Sequence, residues 1–506
     1  MTLYRRSRRF GAAGMCLAIG LGAWAAVGGS AFSEVGLHGG HVVAAGKADG
    51  TGGGPVGLAG RVGRGGHTWG SVVGVRPLIL FADDSGLSSP YTPAQLQADY
   101  GMDALYKAGL TGAGRTIGIV DVYGSPTIRA DLASFDTHFG LPAPPHFTII
   151  QPAGPVPSFN PENSEMLGWA AETTLDVEWS HAMAPGASIV LAETGVDEVE
   201  GTTGMPEIMK AENYMILHEH VTVISQSFAA TEETFPSAAS LMNLRAVYGE
   251  AEKHSVTVLA GAGDWGASGP TNNTNTYYDR RVVAWPASDP LVTAVGGTDV
   301  YLNGAGTQLE AIKVWNQSGG TPEASGGGVS EYFARPSWQD GVAKVVGSRR
   351  GIPDISMFAA CDTGALIYSS FSGFPGLAPV CGTSLATPLF AGVVAIAAQL
   401  ANHALGLINP TLYSLGSTRS RGLVDVIHGN TSVSVTVAGK AAEVNGYSAV
   451  VGYDLASGWG TVNAADLVPE LAGRPLPKEG VLSLPTEGVW SLAVGGLSAF
   501  VHVKGR

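Results

Sequence analysis

Ser384 stands in the stretch Cys381-Gly-Thr-Ser-Leu-Ala-Thr-Pro-Leu-Phe-Ala-Gly392, which continues as an apolar run to Leu400. Small residues, a hydroxyl and an apolar run punctuated by Pro388 predict a tight turn that delivers Ser384 to the N-terminus of a buried helix. Unpaired first-turn amides and the positive end of the helix dipole favour negative charge developing there, which suits a nucleophile. The plain alternative is a capping hydroxyl without chemistry. Within 164–182, a stretch of helical pattern, Glu172 and Asp176 are four residues apart and so share one face, with Trp169 and Trp179 flanking them on roughly the same side. Two carboxyls packed among tryptophans exchange a proton and titrate as a coupled pair. A solvated acidic face is the bland reading, and tryptophan is seldom spent on water. Asp264, in Gly261-Ala-Gly-Asp-Trp-Gly266 directly after an apolar strand, reads first as an ordinary turn residue.

These residues need a frame. Short apolar runs at Arg115–Asp121, Ser188–Ala192, Val221–Ser225, Val256–Ala260 and Leu291–Val295 alternate with helical stretches including 164–182 and 205–219. Strands buried on both faces and alternating with helices predict a mostly parallel α/β sheet, with active groups at the carboxyl ends of the strands. A capped helix is expected at Thr92–Gly101, and short alternating apolar segments after about 470 predict a small β-rich tail over 471–506.

The 506-residue chain has room for an ample core, and its formal charge of −14 argues against nucleic acid, whose phosphates need a basic face. Arg5, Arg6, Arg8 and Arg9 precede an apolar stretch ending in small residues near Ala31, which predicts a secretory signal over 1–32. An uncleaved membrane anchor is the alternative. The Gly-rich residues 33–90 read as a linker or short pro-segment. Cys361 and Cys381 are 20 positions apart and are either bridged or two buried thiols. A bridge would contribute ~3 kcal/mol by the chain-entropy model and pin the turn before Ser384.

From about Tyr91 to Leu467 the chain resembles the sedolisin family of serine-carboxyl peptidases. The resemblance rests on Tyr123-Gly-Ser-Pro126, Phe139-Gly-Leu-Pro142, Glu172-Thr-Thr-Leu-Asp176, Ala184-Pro-Gly-Ala187, Gly263-Asp-Trp-Gly266, Val295-Gly-Gly-Thr298, Ser325-Gly-Gly-Gly-Val-Ser330, Arg350-Gly-Ile-Pro-Asp354 and Gly382-Thr-Ser384, in family order. It implies a subtilisin-like α/β fold over 91–470, with a mostly parallel central sheet flanked by helices and a calcium site near the domain's C-terminus. By motif position Ser384 would be the nucleophile, Glu172 the general base, Asp176 the residue orienting it and Asp264 the oxyanion donor. None of the twelve histidines stands in the His-Gly-Thr-like turn that a true subtilisin needs, and His181 is better explained as a helix-end cation. A carboxylate base and a protonated oxyanion donor both favour acidic conditions.

The resemblance further implies one calcium ion held by the side chains of Asp425 and Asp454 and the carbonyls of Val426, Val450 and Gly452, a hard oxygen set. It implies protein or peptide substrates for a secreted, extracellular, monomeric endopeptidase without stable membrane association once the signal is gone. A catalytically silent peptide-binding or cell-surface protein on the same fold is the alternative. Three departures stand out: only the Gly-rich stretch precedes Tyr91 where relatives carry a large folded prodomain; Ser225-Gln-Ser-Phe-Ala-Ala230 lacks the usual glycine, which predicts a narrower cleft; and Asp121 stands where a subtilisin keeps its triad aspartate, and is read as extending the hydrogen-bond chain from Asp176.

Overall fold

A computed structural model describes residues 90–477, apart from 198–199, 274–275, 304–308, 319–321 and 372–374, together with the short strands Arg76–Pro77, Leu80–Phe81, Val489–Val494 and Leu497–His502. The signal expected over 1–32 lies outside the described residues.

The central sheet has eight strands. In spatial order they are Leu309–Val314, Thr293–Leu302, Thr257–Gly261, Val223–Gln226, Thr116–Val122, Ser188–Thr194 and Phe147–Ile150, with Ile355–Phe358 also paired to Thr293–Leu302. All neighbours are parallel except Leu309–Val314, which folds back antiparallel on Thr298–Leu302. The central strands are buried throughout, so their continuous Val/Ile/Leu/Ala runs meet helices on both faces. The expected helices form as Ser164–Met183 and Met205–His218, and Thr92 starts the short helix Pro93–Asp99. Gly101, at φ +72°, breaks that element from the following helix Met102–Lys107.

Two helices position the chemistry. Asn163 caps Ser164–Met183 by accepting the N–H groups of Glu165 and Met166, and residues 166–183 of this helix are all buried. Its neighbour Thr383–Ala401 is long and apolar enough to cross a membrane, but it is 89% buried and serves as a core helix. The helices lie side by side. A Cβ on Gly392 would come within 2.4 Å of Met183 Cβ, so only hydrogen fits where the two meet.

The two tryptophans do not share one side of Ser164–Met183. Ten residues at 100° each leave them about 80° apart around the axis. Trp179 joins the core under Phe135 and donates to the Leu366 carbonyl, whereas Trp169 packs in a second cluster with Val120 and Val190. The helix is therefore embedded between two cores, which is why Glu172, Asp176 and Glu178 have no face on water.

Outside the main sheet, Phe228–Thr231 pairs antiparallel with Arg76–Pro77 and with Ala284–Trp285. Leu80–Phe81 pairs with the last two residues of Gly376–Cys381. Val489–Val494 and Leu497–His502 form an antiparallel hairpin.

Candidate active site

The turn into Thr383–Ala401 is made by Gly382, whose φ of 105° no side chain tolerates easily, and it is tied down by the disulfide Cys361–Cys381. Of the two readings left open for the cysteines, the bridge is the one formed. Ser384 falls in the first turn of the helix, fully buried.

Glu172 and Asp176 lie one turn apart on the neighbouring helix, both fully buried. The Ser384 hydroxyl is close enough to Glu172 to favour its charged form. Neither Ser384 Oγ nor either Glu172 oxygen completes a hydrogen bond among the described residues. Burial holds the Glu172 carboxyl well above its ordinary range, and the Asp176 charge adds to this, followed by Asp121 and Asp264. Asp176 is raised for the same reasons, burial first and then Asp121. Two carboxyls this close and this deeply buried titrate as a coupled unit.

Asp264 lies just beyond the carboxyl end of Thr257–Gly261, 3% exposed. Its Oδ1 accepts the Thr383 backbone N–H at 2.8 Å and the Thr383 hydroxyl at 2.7 Å, while its Oδ2 is buried without a partner among the described residues. Burial pushes this carboxyl up to about 7, against the pull of the two Thr383 donors. One oxygen is therefore fixed as acceptor, and the other is free to carry a proton and donate it towards a nearby oxyanion. Thr383 emerges here as the residue that orients Asp264. Sequence reasoning passed it over, and the only signal available was a second hydroxyl at the start of the helix.

Asp121 sits at the carboxyl end of Thr116–Val122, also fully buried and raised to about 7, mainly by burial. It does not extend a hydrogen-bond chain from Asp176, because neither of its oxygens makes a hydrogen bond among the described residues. Its influence on the pair is through charge. Ser227, within the stretch 225–230 but assigned no role from sequence, is fully buried and donates to Asp176 Oδ1 at 2.7 Å. His181, at the far end of the carboxylate helix, is turned to the Pro142 carbonyl (2.7 Å) and Asp136 (3.2 Å). Nine residues from Glu172, it lies about 13 Å along the axis and does not join the cluster.

Beside Asp264 a narrow cleft is lined by Thr231, Gly263, Trp265, Val283, Gly326 and Gly327. Gly326 is required there, since a Cβ would stand 2.0 Å from the Ala262 carbonyl oxygen.

Asp425 and Asp454 meet at the loop 450–454, where Gly452 N–H donates to Asp425 Oδ2 (2.8 Å) and Val450 N–H to Asp454 Oδ2 (2.7 Å). Asp454 Oδ1 also accepts from the Ser457 hydroxyl at 3.1 Å, and the Ser457 Oγ lies 3.5 Å from the Val426 carbonyl oxygen. The residues singled out in the sequence are thus gathered in one place. Neither aspartate forms an ion pair with Lys or Arg among the described residues. The described residues hold no cluster of three or more His, Cys, Asp or Glu suited to a metal, so a cation here would depend on carbonyl oxygens besides the two carboxylates. Backbone N–H groups already occupy carboxylate oxygens of both aspartates, and two neighbouring carboxylates with no cationic side chain retain the hard-oxygen character that suits a divalent ion.

A subtilase-family model matches residues 164–415. Sedolisin of Pseudomonas sp. (strain 101) is 31% identical over 387 residues, covering 76% of this chain and 61% of that protein. Kumamolisin of Bacillus sp. (strain MN-32) is 28% identical over 385 residues, covering 74% and 63%. The chain therefore spans a little under two thirds of the length of these relatives. The solved structure of Pseudomonas sedolisin, a serine-carboxyl proteinase complexed with two molecules of pseudo-iodotyrostatin, superposes with a TM-score of 0.64 at 29% identity, over 77% of this chain and 99% of that one.

Proposed function

The chain belongs to the sedolisin family, and on that premise we propose that it is a secreted, acid-active endopeptidase that cuts protein or peptide chains through an acyl-enzyme on Ser384. The observation that carries the reading is the convergence of Ser384, Glu172, Asp176 and Asp264 in one water-excluded cluster beside the carboxyl ends of the sheet strands.

In the proposed reaction Glu172 takes the Ser384 proton as Oγ bonds to the scissile carbonyl carbon. Asp264, protonated on Oδ2, donates a hydrogen bond to the oxyanion. The C–N bond then breaks as Glu172 returns the proton to the leaving amine. Water, deprotonated by the same carboxylate, releases the acyl group. Asp176 spreads the proton load of Glu172. The base must be ionised and Asp264 neutral, so activity is confined below about pH 7, where Asp264 loses its proton.

Calcium is proposed as a structural ion held by Asp425, Asp454 and the carbonyls of Val426, Val450 and Gly452. When bound it would neutralise the two carboxylates and brace the loop 450–454. Residues 33–90 are proposed to include a pro-segment. Arg76–Pro77 pairs with the strand that follows Ser227, and Leu80–Phe81 pairs at Cys381, three residues before Ser384, so the two strands bracket the nucleophile. The silent-binding alternative is not favoured, since it gives no reason to keep a buried serine beside two raised carboxyls and an acid with a free oxygen.

Activity on a denatured protein at pH 4–5, compared between wild type and Ser384→Ala, tests the proposal. Activity abolished in the variant supports it, and activity unchanged by the substitution excludes catalysis at this site.

A further inference from the structure

Resting on that reading of the site, we infer that Ser227 is a positioning residue that couples the charge of Asp176 to the backbone of the nucleophile. Its hydroxyl lies between two acceptors, Asp176 Oδ1 at 2.7 Å and the Ser384 carbonyl oxygen at 3.3 Å. The second acceptor is open for a reason written in the sequence. A helical carbonyl at 384 pairs with the N–H at 388, and residue 388 is proline, which has none. The carbonyl of the nucleophile itself is thus left without its intrahelical N–H partner in a fully buried setting, and the Ser227 hydroxyl reaches it at 3.3 Å.

The chain is built to hold that hydroxyl there. Ser227 is the single residue between Val223–Gln226, in the main sheet, and Phe228–Thr231, in the small antiparallel sheet. The backbone changes sheets at this point, which turns the side chain to the carboxylate helix and the start of Thr383–Ala401. Glycine or alanine at 227 would leave both acceptors unserved.

A serine hydroxyl has one proton to give. While Asp176 is ionised, the shorter contact claims it. When Asp176 holds the proton, it can donate to Ser227 Oγ, and the Ser227 proton turns to the Ser384 carbonyl. Protonation of the carboxyl pair is thereby relayed to the turn that aims Ser384 Oγ. The charged groups facing Asp176 are Glu172 on its own helix and Asp121 from Thr116–Val122, both acidic, while Asp264 faces Glu172. Ser227 is the neighbour that opposes them, favouring the charged form of Asp176. Its removal therefore makes the pair hold its proton to higher pH.

The test compares the pH profiles of kcat and kcat/KM, from pH 2.5 to 7.5, for the full chain with Ser227→Ala, Ser227→Gly and Ser227→Thr, using an internally quenched peptide and Ser384→Ala as control. Loss of the hydroxyl should move the acidic limb upward by about half to one pH unit and lower kcat roughly tenfold with KM little changed. Threonine, which keeps the hydroxyl, should restore the wild-type limb. Thermal midpoints identify a variant that fails to fold, in which case the glycine variant stands in for alanine. If Ser227→Ala or Ser227→Gly superposes on wild type, or changes KM alone, this inference is wrong while the site assignment stands. If activity survives Ser384→Ala, the site assignment falls and this inference with it.

Discussion

Asp264 offers the sharpest separation between a hydrogen-bond donor and a mere acid. Thr383 fixes Oδ1 as acceptor through two hydrogen bonds, at 2.8 and 2.7 Å, and leaves Oδ2 as the only position for a proton. Asparagine reproduces this division, with its carbonyl oxygen facing Thr383 and its amide N–H₂ where Oδ2 stood. Alanine removes the donor altogether. Losing one oxyanion donor costs about 10²–10³ in kcat, or ~3–4 kcal/mol of transition-state stabilisation, and that is the loss expected for Asp264→Ala at pH 4–5. Asp264→Asn should keep activity within about tenfold of wild type there. The alkaline side distinguishes them further. The wild-type carboxyl is held up to about 7 by burial, so it donates below that pH and repels an oxyanion above it. At pH 8 only about a tenth of wild-type molecules would keep the proton, whereas the asparagine amide does not titrate. The Asp264→Asn profile should therefore stay flat through the region where the wild type falls. The assay is kcat against pH, with thermal midpoints to confirm folding. An asparagine variant as inactive as the alanine variant, or one with the wild-type alkaline limb, would refute the donor role.

Other outcomes follow from the same structure. Chelation of divalent ions should lower the thermal midpoint by several degrees, with recovery on adding calcium but not magnesium. Asp425→Asn with Asp454→Asn should abolish both the response and the calcium found by metal analysis; a chelator-insensitive midpoint in a calcium-loaded preparation removes the ion from the account. N-terminal sequencing of the active form should find a start after Phe81, and an active chain that retains Arg76–Phe81 contradicts a pro-segment role. Stability should also respond to pH. Asp121 and Asp264 are both raised from 3.8 to about 7 in the folded chain, so their stabilising contribution is complete below about pH 4 and lost as pH rises through 7. Asp121→Asn should flatten that decline in thermal midpoint; an unchanged slope argues against the burial cost.

The sheet was legible because parallel strands buried on both faces leave unbroken apolar runs, and the burial of the candidate carboxyls was legible because two acids four apart on a tryptophan-bearing helix are an anomaly on a surface. What escaped was orientation. The 3.6-residue period places Trp169 and Trp179 around the helix, but the choice between one core and two depends on which elements pack there. Asp121 was visible as a strand-end acid, yet whether it joins the pair by hydrogen bond or by field is a matter of an ångström that spacing does not specify. Ser227 drew no notice of its own in the sequence. Its hydroxyl gains meaning only when the change of sheets turns it to a carbonyl that Pro388 has left open, a coincidence of three elements far apart in the chain.

The central claim, that a carboxylate and not an imidazole activates Ser384, is tested most directly by single-turnover acylation. Rates for wild type and Glu172→Gln with an activated peptide ester at pH 4.5 and pH 8 suffice. The account predicts fast acylation of Ser384 at pH 4.5, falling by about 10³ or more in Glu172→Gln, with the wild type slower at pH 8. Acylation that is unaffected by Glu172→Gln and rises towards pH 8 would contradict it.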